Sequence, residues 1–300
     1  MIALLLGANG QLGTDIQAAN AAAKKPLSLK PLTRANVDLE DIEQATRLLR
    51  ELHFDALVNC SSYHKTDEVE KNAQKAFAIN AHLVRRLAEI CVERGARFVH
   101  ISTDYVFGGQ SKREPLVETD GKAPLNVYGA SKGMGEDLAL QTNADTLILR
   151  VASLFGVAGA SGKGGNFVET MIRFGRERGE LKVVADQVMS PTATADIAGA
   201  LLKLLDAGAE SGIYHVVNSG AASWYDFACR IIERAGIDAR VLPITTREFP
   251  QPAMRPPYSV LSNAKLGRTI GAMRDWREAL DDYLVAKGYR NVAVRSAVSV

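Results

Sequence analysis

Tyr128 and Lys132 in "NVYGASK" stand four residues apart, a spacing that on a helix brings both side chains onto one face. A phenol has an ordinary pKa near ~10, and a neighbouring ammonium that stabilises its phenolate moves it toward use as an acid at neutral pH. Spacing alone does not single this pair out, because "YLVAK" repeats it at Tyr283 and Lys287. Context separates the two. Upstream of Tyr128, "VHISTDYVFGG" sets Ser102, Thr103 and Asp104 directly after an apolar run, at the carboxyl edge where ligands of open parallel sheets bind. Tyr283 lies instead in "WREALDDYLVAK", an amphipathic stretch in which packing or a surface position is the expected role. Thr103, Tyr128 and Lys132 are the candidates to converge on a carbonyl oxygen.

A second constellation suits a phosphate. "GANGQLG", residues 7 to 13, follows the apolar run "IALLL" and opens the helix-compatible "TDIQAANAAAK". A strand, a glycine turn and a helix N-terminus in that order present backbone N–H groups to a pyrophosphate. "GVAGASGKGG" offers a rival glycine spacing at Gly156, Gly159, Gly162 and Gly165, but it continues as a long flexible loop, so the first match is preferred. The next strand-like run, "PLSLKPL", ends in Thr33 and Arg34 with no acid before Asp38. An acid there would hold the ribose hydroxyls of NAD, whereas Arg34 suits a 2′-phosphate. NADPH is the expected cofactor, with NADH as the alternative.

The elements that must position these groups alternate along the chain. Apolar runs at 2–6, 26–32, 55–60, 97–102, 146–152, 181–185 and 212–218 are separated by segments of helical period, among them "DIEQATRLLREL" and "KAFAINAHLVRRLAEICVERG" with Gly95 as a helix stop. This is the pattern of an α/β fold, a Rossmann-type doubly wound parallel sheet. We expect a nucleotide-binding domain over residues 1–156 that also receives strands and helices from about 181–218. Residues 157–300 are expected to form mainly a smaller C-terminal substrate-binding lobe, with the proline-rich "ITTREFPQPAMRPPY" lying over a site.

The 300 residues carry 36 Lys and Arg against 34 Asp and Glu without a block of like charge, which argues against nucleic acid as a partner. No run reaches the ~20 apolar residues of a membrane span, and "MIALLL" lacks the basic flank of a signal peptide, so a cytoplasmic protein is expected. Cys60, Cys91 and Cys229 are far apart, without metal-ligand spacing, and read as reduced, buried thiols.

The chain resembles the extended short-chain dehydrogenase/reductases and, within them, the dTDP-4-dehydrorhamnose reductase family of sugar-nucleotide 4-ketoreductases. "GANGQLG", "STDYVF", "APLNVYGASK", "GKGGNFVETMIR", "DQVMSPT", "GIYHVVNSG", "SWYDFA" and "PAMRPPYSVLSNAKL" carry that resemblance in order. It implies a catalytic triad of Thr103, Tyr128 and Lys132, with Lys132 also holding the nicotinamide ribose. It further implies cofactor contacts from Gly7, Asn9, Gly10, Gln11, Leu12 and Gly13, from Arg34, Asp38 and Leu39, and from Cys60, Ser61, Ser62 and Tyr63 after Asn59. Asn80 and Ser102 complete that set. Substrate contacts are implied for Thr103, Asp104, Val106, Phe107, Leu154, Asn166, Gln187 and Arg255, with Pro191 and Thr192 nearby. Arg255 would pair with the diphosphate of a nucleotide sugar.

Some positions depart from the family pattern near the sugar: Leu154 stands where a Trp is common, Met189 where a Gly is, and "CSSYHKTDEVE" replaces the usual Ala-Ala-Ala-Tyr/His-Thr-x-Val-Asp after Asn59, bringing His64 and Lys65 to the active-site side. They leave the ketosugar open. Two other readings also stay open: a non-catalytic dinucleotide-binding subunit similar to the regulatory subunit of methionine adenosyltransferase, and a related NAD-dependent epimerase or dehydratase. The resemblance suggests a homodimer; Asp15 is an isolated acid, so no metal is assigned.

Overall fold

The computed structural model describes residues 1–159 and 165–289, so Gly162 and the terminal "NVAVRSAVSV" lie outside the described residues. In chain order the first half runs β1 (Ile2–Leu6), α1 (Gln11–Ala22), β2 (Ser28–Leu32), α2 (Ile42–Glu51), β3 (Ala56–Asn59), α3 (Thr66–Glu70) and α4 (Ala73–Phe77). It continues through α5 (Leu83–Arg94), β4 (Arg97–Thr103), α6 (Val127–Thr142) and β5 (Thr146–Val151). The second half opens with β6 (Leu154–Phe155), α7 (Phe167–Arg178), β7 (Glu180–Val184), β8 (Val188–Met189), β9 (Thr192–Ala193) and α8 (Thr194–Asp206). It closes with β10 (Gly212–His215), β11 (Ala222–Ser223), α9 (Trp224–Arg234), β12 (Arg240–Ile244), α10 (Ala264–Ile270) and α11 (Trp276–Ala286).

Six parallel strands form the central sheet in the order β10-β5-β4-β3-β1-β2. Alternate side chains of these strands point to opposite faces, and both faces are covered. Leu4, Leu6, Leu57, Phe98 and Ile148 pack under α2 and α5, whereas Leu5, Val58, Val99, Leu147 and Leu149 pack against α1 and α8. The strand order reverses between β1 and β3, which is where open sheets of this kind leave a ligand crevice. Pro31 is tolerated in β2 because that strand is an edge. The arrangement is the doubly wound α/β fold expected from the sequence.

One strand departs from expectation. β7 does not join the main sheet with the rest of 181–218; it pairs in parallel with β12, while α8 and β10 alone carry that segment to the sheet. The cause is visible in the residues. Every residue of β5 is buried, as a central parallel strand requires, but β7 alternates and leaves Glu180 and Lys182 exposed. A separate core forms there from α7, α9 and α11, where Phe155, Phe227 and Trp276 pack together and enclose Tyr283. Of the cysteines, Cys91 is buried, but Cys60 and Cys229 are half-buried rather than buried. Among the described residues no helix is long and apolar enough to cross a membrane.

Candidate active site

The glycine turn sits at the carboxyl end of β1, beside the strand-order reversal. Gly7 has φ 75°, and a Cβ added there would come within 3.1 Å of the backbone of Cys60 and Ser61. Gly13 packs closer still: a Cβ would lie 2.3 Å from the Gly7 carbonyl oxygen. Gly10 occupies the N-cap of α1 and no side chain caps that helix, so the first-turn N–H groups remain available. Bare glycine backbone and an uncapped helix start fit a dinucleotide pyrophosphate. Of the rival glycines, Gly156 packs against α1 and α8: a Cβ there would meet Gln11 and Thr194. Arg34 stands just beyond β2 with its side chain 79% exposed, in a surface ion pair to Glu40 at 3.2 Å. Exposed pairs of this kind hold a guanidinium weakly. Asp38 accepts from the Glu40 N–H, and Leu39 packs at the edge of the core.

Thr103 ends β4, and Asn126 caps α6 by accepting from Gly129 N–H, which sets Tyr128 in the first turn facing Thr103. Burial pushes the Tyr128 hydroxyl up to about 12, with the nearby Thr103 side chain acting against that rise and the Asp104 carboxylate adding to it. Asp104 accepts from Thr103 Oγ1 at 3.1 Å and from Ser259 Oγ at 2.6 Å. Burial raises its carboxyl to about 6 despite these bonds. α6 lies close enough to the 104–106 turn that a Cβ on Gly129 would sit 2.0 Å from the Tyr105 carbonyl oxygen.

Lys132 is on the same helix, and its side chain is buried. Its Nζ contacts His100 Nε2 at 2.9 Å and donates to the Ile101 carbonyl at 2.6 Å. Burial lowers it to about 7, against the opposing influence of Glu136 and Cys60. The Tyr128 phenol is raised rather than depressed, because burial outweighs the opposing Thr103 side chain. Sequence reasoning passed over the buried groups nearby. His100 lies in an apolar run and carries no spacing signal; Glu136 and Arg150, fully buried and doubly hydrogen-bonded at 2.9 and 2.7 Å, belong to no motif that would single them out. Ser102 Oγ donates to Glu136 at 2.5 Å, so that hydroxyl faces the ion pair.

After β3, Asn59 holds the Ser61 N–H and hydroxyl, and burial pushes the Cys60 thiol up to about 12. Asn80 lies in a π-helical turn, Ala78–His82, between α4 and α5, and clasps the Tyr63 N–H and carbonyl at 2.9 and 3.0 Å. The Ser62 carbonyl oxygen lies 3.3 Å from His64 Nδ1 and accepts from it.

Beyond Tyr105, which meets Tyr128 edge-on at 5.8 Å, a cavity of about 730 Å³ opens. Gln187 and Arg255 line it, with Phe167, Phe174, Trp224 and Phe249 as aromatic walls. Arg255 is already paired with Asp67 at 2.7 Å and does not project as a free cation. Other expected substrate residues lie elsewhere. Val106 and Phe107 are fully enclosed with Leu116, Val217 and Leu261, because the turn after Thr103 directs them inward; their side chains do not reach the cavity. Asn166 caps α7 and donates to Gly156, Gln11 and Tyr283, which occupies its amide. Leu154 packs against the main core, Met189 is buried in the second core, and Thr192 pairs with Leu154. Tyr283, buried, donates its hydroxyl to Glu169. Asp15 accepts from Thr194, and among the described residues no cluster of acids, His or Cys suits a metal.

Comparison with known proteins adds an independent line. The family model described as "RmlD substrate binding domain" matches residues 1–288. The chain is 38% identical over 285 residues to the dTDP-4-dehydrorhamnose reductase of Mycolicibacterium smegmatis, covering 94% of this chain and 85% of that one. A solved dTDP-4-dehydrorhamnose reductase of Clostridium acetobutylicum superposes with a TM-score of 0.89 at 39% identity, covering 96% of this chain and 100% of that chain. The Bacillus anthracis reductase solved in complex with NADP gives 0.87 at 36% identity, with 95% and 99% covered.

Proposed function

Because the chain belongs to the RmlD substrate binding domain family, we propose that it is an NADPH-dependent oxidoreductase that reduces the 4-keto group of a nucleotide-linked deoxysugar, dTDP-4-dehydro-L-rhamnose first among them. The observation that carries this reading is the Thr103–Tyr128 pair at the carboxyl end of β4, opening through Tyr105 on an aromatic-walled cavity. The glycine turn and the α1 N-terminus would hold the pyrophosphate, and Arg34 the 2′-phosphate. When bound, the reduced nicotinamide supplies hydride to the carbonyl carbon. Tyr128, protonated at neutral pH, holds the proton that the developing alkoxide takes, and Thr103 hydrogen-bonds the same oxygen. Phe167, Phe174 and Trp224 offer faces for a nucleobase, and Gln187 and Arg255 offer donors for its sugar and diphosphate.

The test is oxidation of NADPH in the presence of dTDP-4-dehydro-L-rhamnose, followed by nicotinamide absorbance. Tyr128→Phe should lower kcat by about 10²- to 10⁴-fold, as loss of a general acid does, and Tyr283→Phe should leave kcat nearly unchanged. Equal loss in both variants, or none in Tyr128→Phe, would reject the assignment.

A further inference from the structure

The hydrogen bonds that converge on Lys132 have a fixed direction. The Ser61 backbone N–H, a donor that cannot accept, lies 3.1 Å from Asn59 Oδ1, and the Ser61 hydroxyl reaches the same oxygen at 2.5 Å. Asn59 therefore turns its NH₂ group toward His100 Nδ1, 3.1 Å away. A ring nitrogen that accepts carries no proton, so neutral His100 holds its proton on Nε2, the atom 2.9 Å from Lys132 Nζ. An ammonium has no lone pair to receive that proton's hydrogen bond, whereas an amine does. The amine keeps two hydrogens, one of which serves the Ile101 carbonyl at 2.6 Å.

We propose that His100 is a positioning residue for the reduction, oriented by Asn59 so that its Nε2–H donates to Lys132 and holds that nitrogen as an amine in the free protein. Charging Lys132 then requires the ring proton to move from Nε2 to Nδ1 and Asn59 to release Ser61. Asn59, His100 and Ser61 thus resist the ammonium, while Glu136 on α6 and Cys60 after β3 favour it. Burial acts with the former set: it lowers Lys132 to about 7 and keeps His100 well below its ordinary range. The catalytic consequence rests on the reductase reading, but the tautomer does not.

Two measurements decide the matter. Long-range proton–nitrogen correlation spectra of histidine-labelled, ligand-free wild-type protein at about pH 8, where Lys132 is an amine, with His100 assigned through its backbone, should show a neutral ring protonated on Nε2. A ring protonated on Nδ1, or a charged one, overturns the proposal, and neither result depends on turnover or on the variant's folding. His100→Gln presents an amide oxygen to the ammonium and should move the basic limb of the kcat/KM profile upward by about one pH unit, since activity falls as Lys132 loses its proton. A limb that stays in place while kcat/KM drops assigns His100 a packing role only and also overturns it. Wild-type protein that reduces no ketosugar would reject the proposed function while leaving the spectroscopic result to stand or fall alone.

Discussion

Asp104 is a residue whose charge the fold opposes. It is 3% exposed, next in sequence to Thr103, and its carboxyl rises from 3.8 to about 6 because burial outweighs the bonds from Ser259 and Thr103. A carboxyl whose pKa is higher in the folded state binds a proton there more tightly, so its contribution favours folding below the unfolded pKa and is lost as pH rises through about 6. Asp104→Asn removes this dependence. Its stability relative to wild type should increase between about pH 4 and about pH 6, approaching ~3 kcal/mol, when thermal unfolding is followed across that range. A difference that stays flat would show that the carboxylate is not penalised. That Thr103 and Tyr128 would lie together was readable from residue type and spacing. The contact between His100 and Lys132 was not, because a hydrogen-bond direction depends on partners from β3 and β4 that are remote in sequence.

At the scale of elements, the site depends on how closely helices approach the sheet edge. Gly129 allows α6 to touch the 104–106 turn, and Gly135 allows the same helix to touch the π-helical turn, where a Cβ would lie 2.1 Å from the Asn80 carbonyl oxygen. Neither contact can yield by rotating a side chain, since backbone meets backbone. Gly129→Ala should therefore displace the first turn of α6, with a stability loss of about 1–3 kcal/mol and a fall in kcat of at least ~10-fold. Unfolding and steady-state assays of that variant measure the two effects; unchanged kcat would mean that α6 is free to shift. The segment from Lys75 to Gly95 read as one helix, and Gly95 does end it with φ 62°. The π-helical turn within it was hidden, because helical period is nearly the same on either side of one inserted residue.

Across the whole molecule, segments far apart in sequence meet over the cavity. The loop after β12 contributes Phe249, Gln251 and Arg255, and Arg255 crosses to Asp67 on α3, whose carboxylate also accepts from Ala253 N–H. Arg255→Ala removes both a candidate diphosphate donor and this tie. KM for the nucleotide sugar should rise by about 10-fold or more, with kcat changed far less. An equal fall in kcat and kcat/KM would place Arg255 in the chemical step instead.

By itself the sequence determined the parallel α/β sheet, the glycine turn and the Thr103 and Tyr128 positions, because alternating burial, glycine backbone freedom and strand-end polarity are local properties. Only the tertiary structure decided that β7 leaves the main sheet, that Val106 and Phe107 face inward, that Asn166 serves as a cap, and that Lys132 engages His100. Each of these outcomes depends on which distant groups reach the residue first, and burial makes that competition decisive by removing water as an alternative partner.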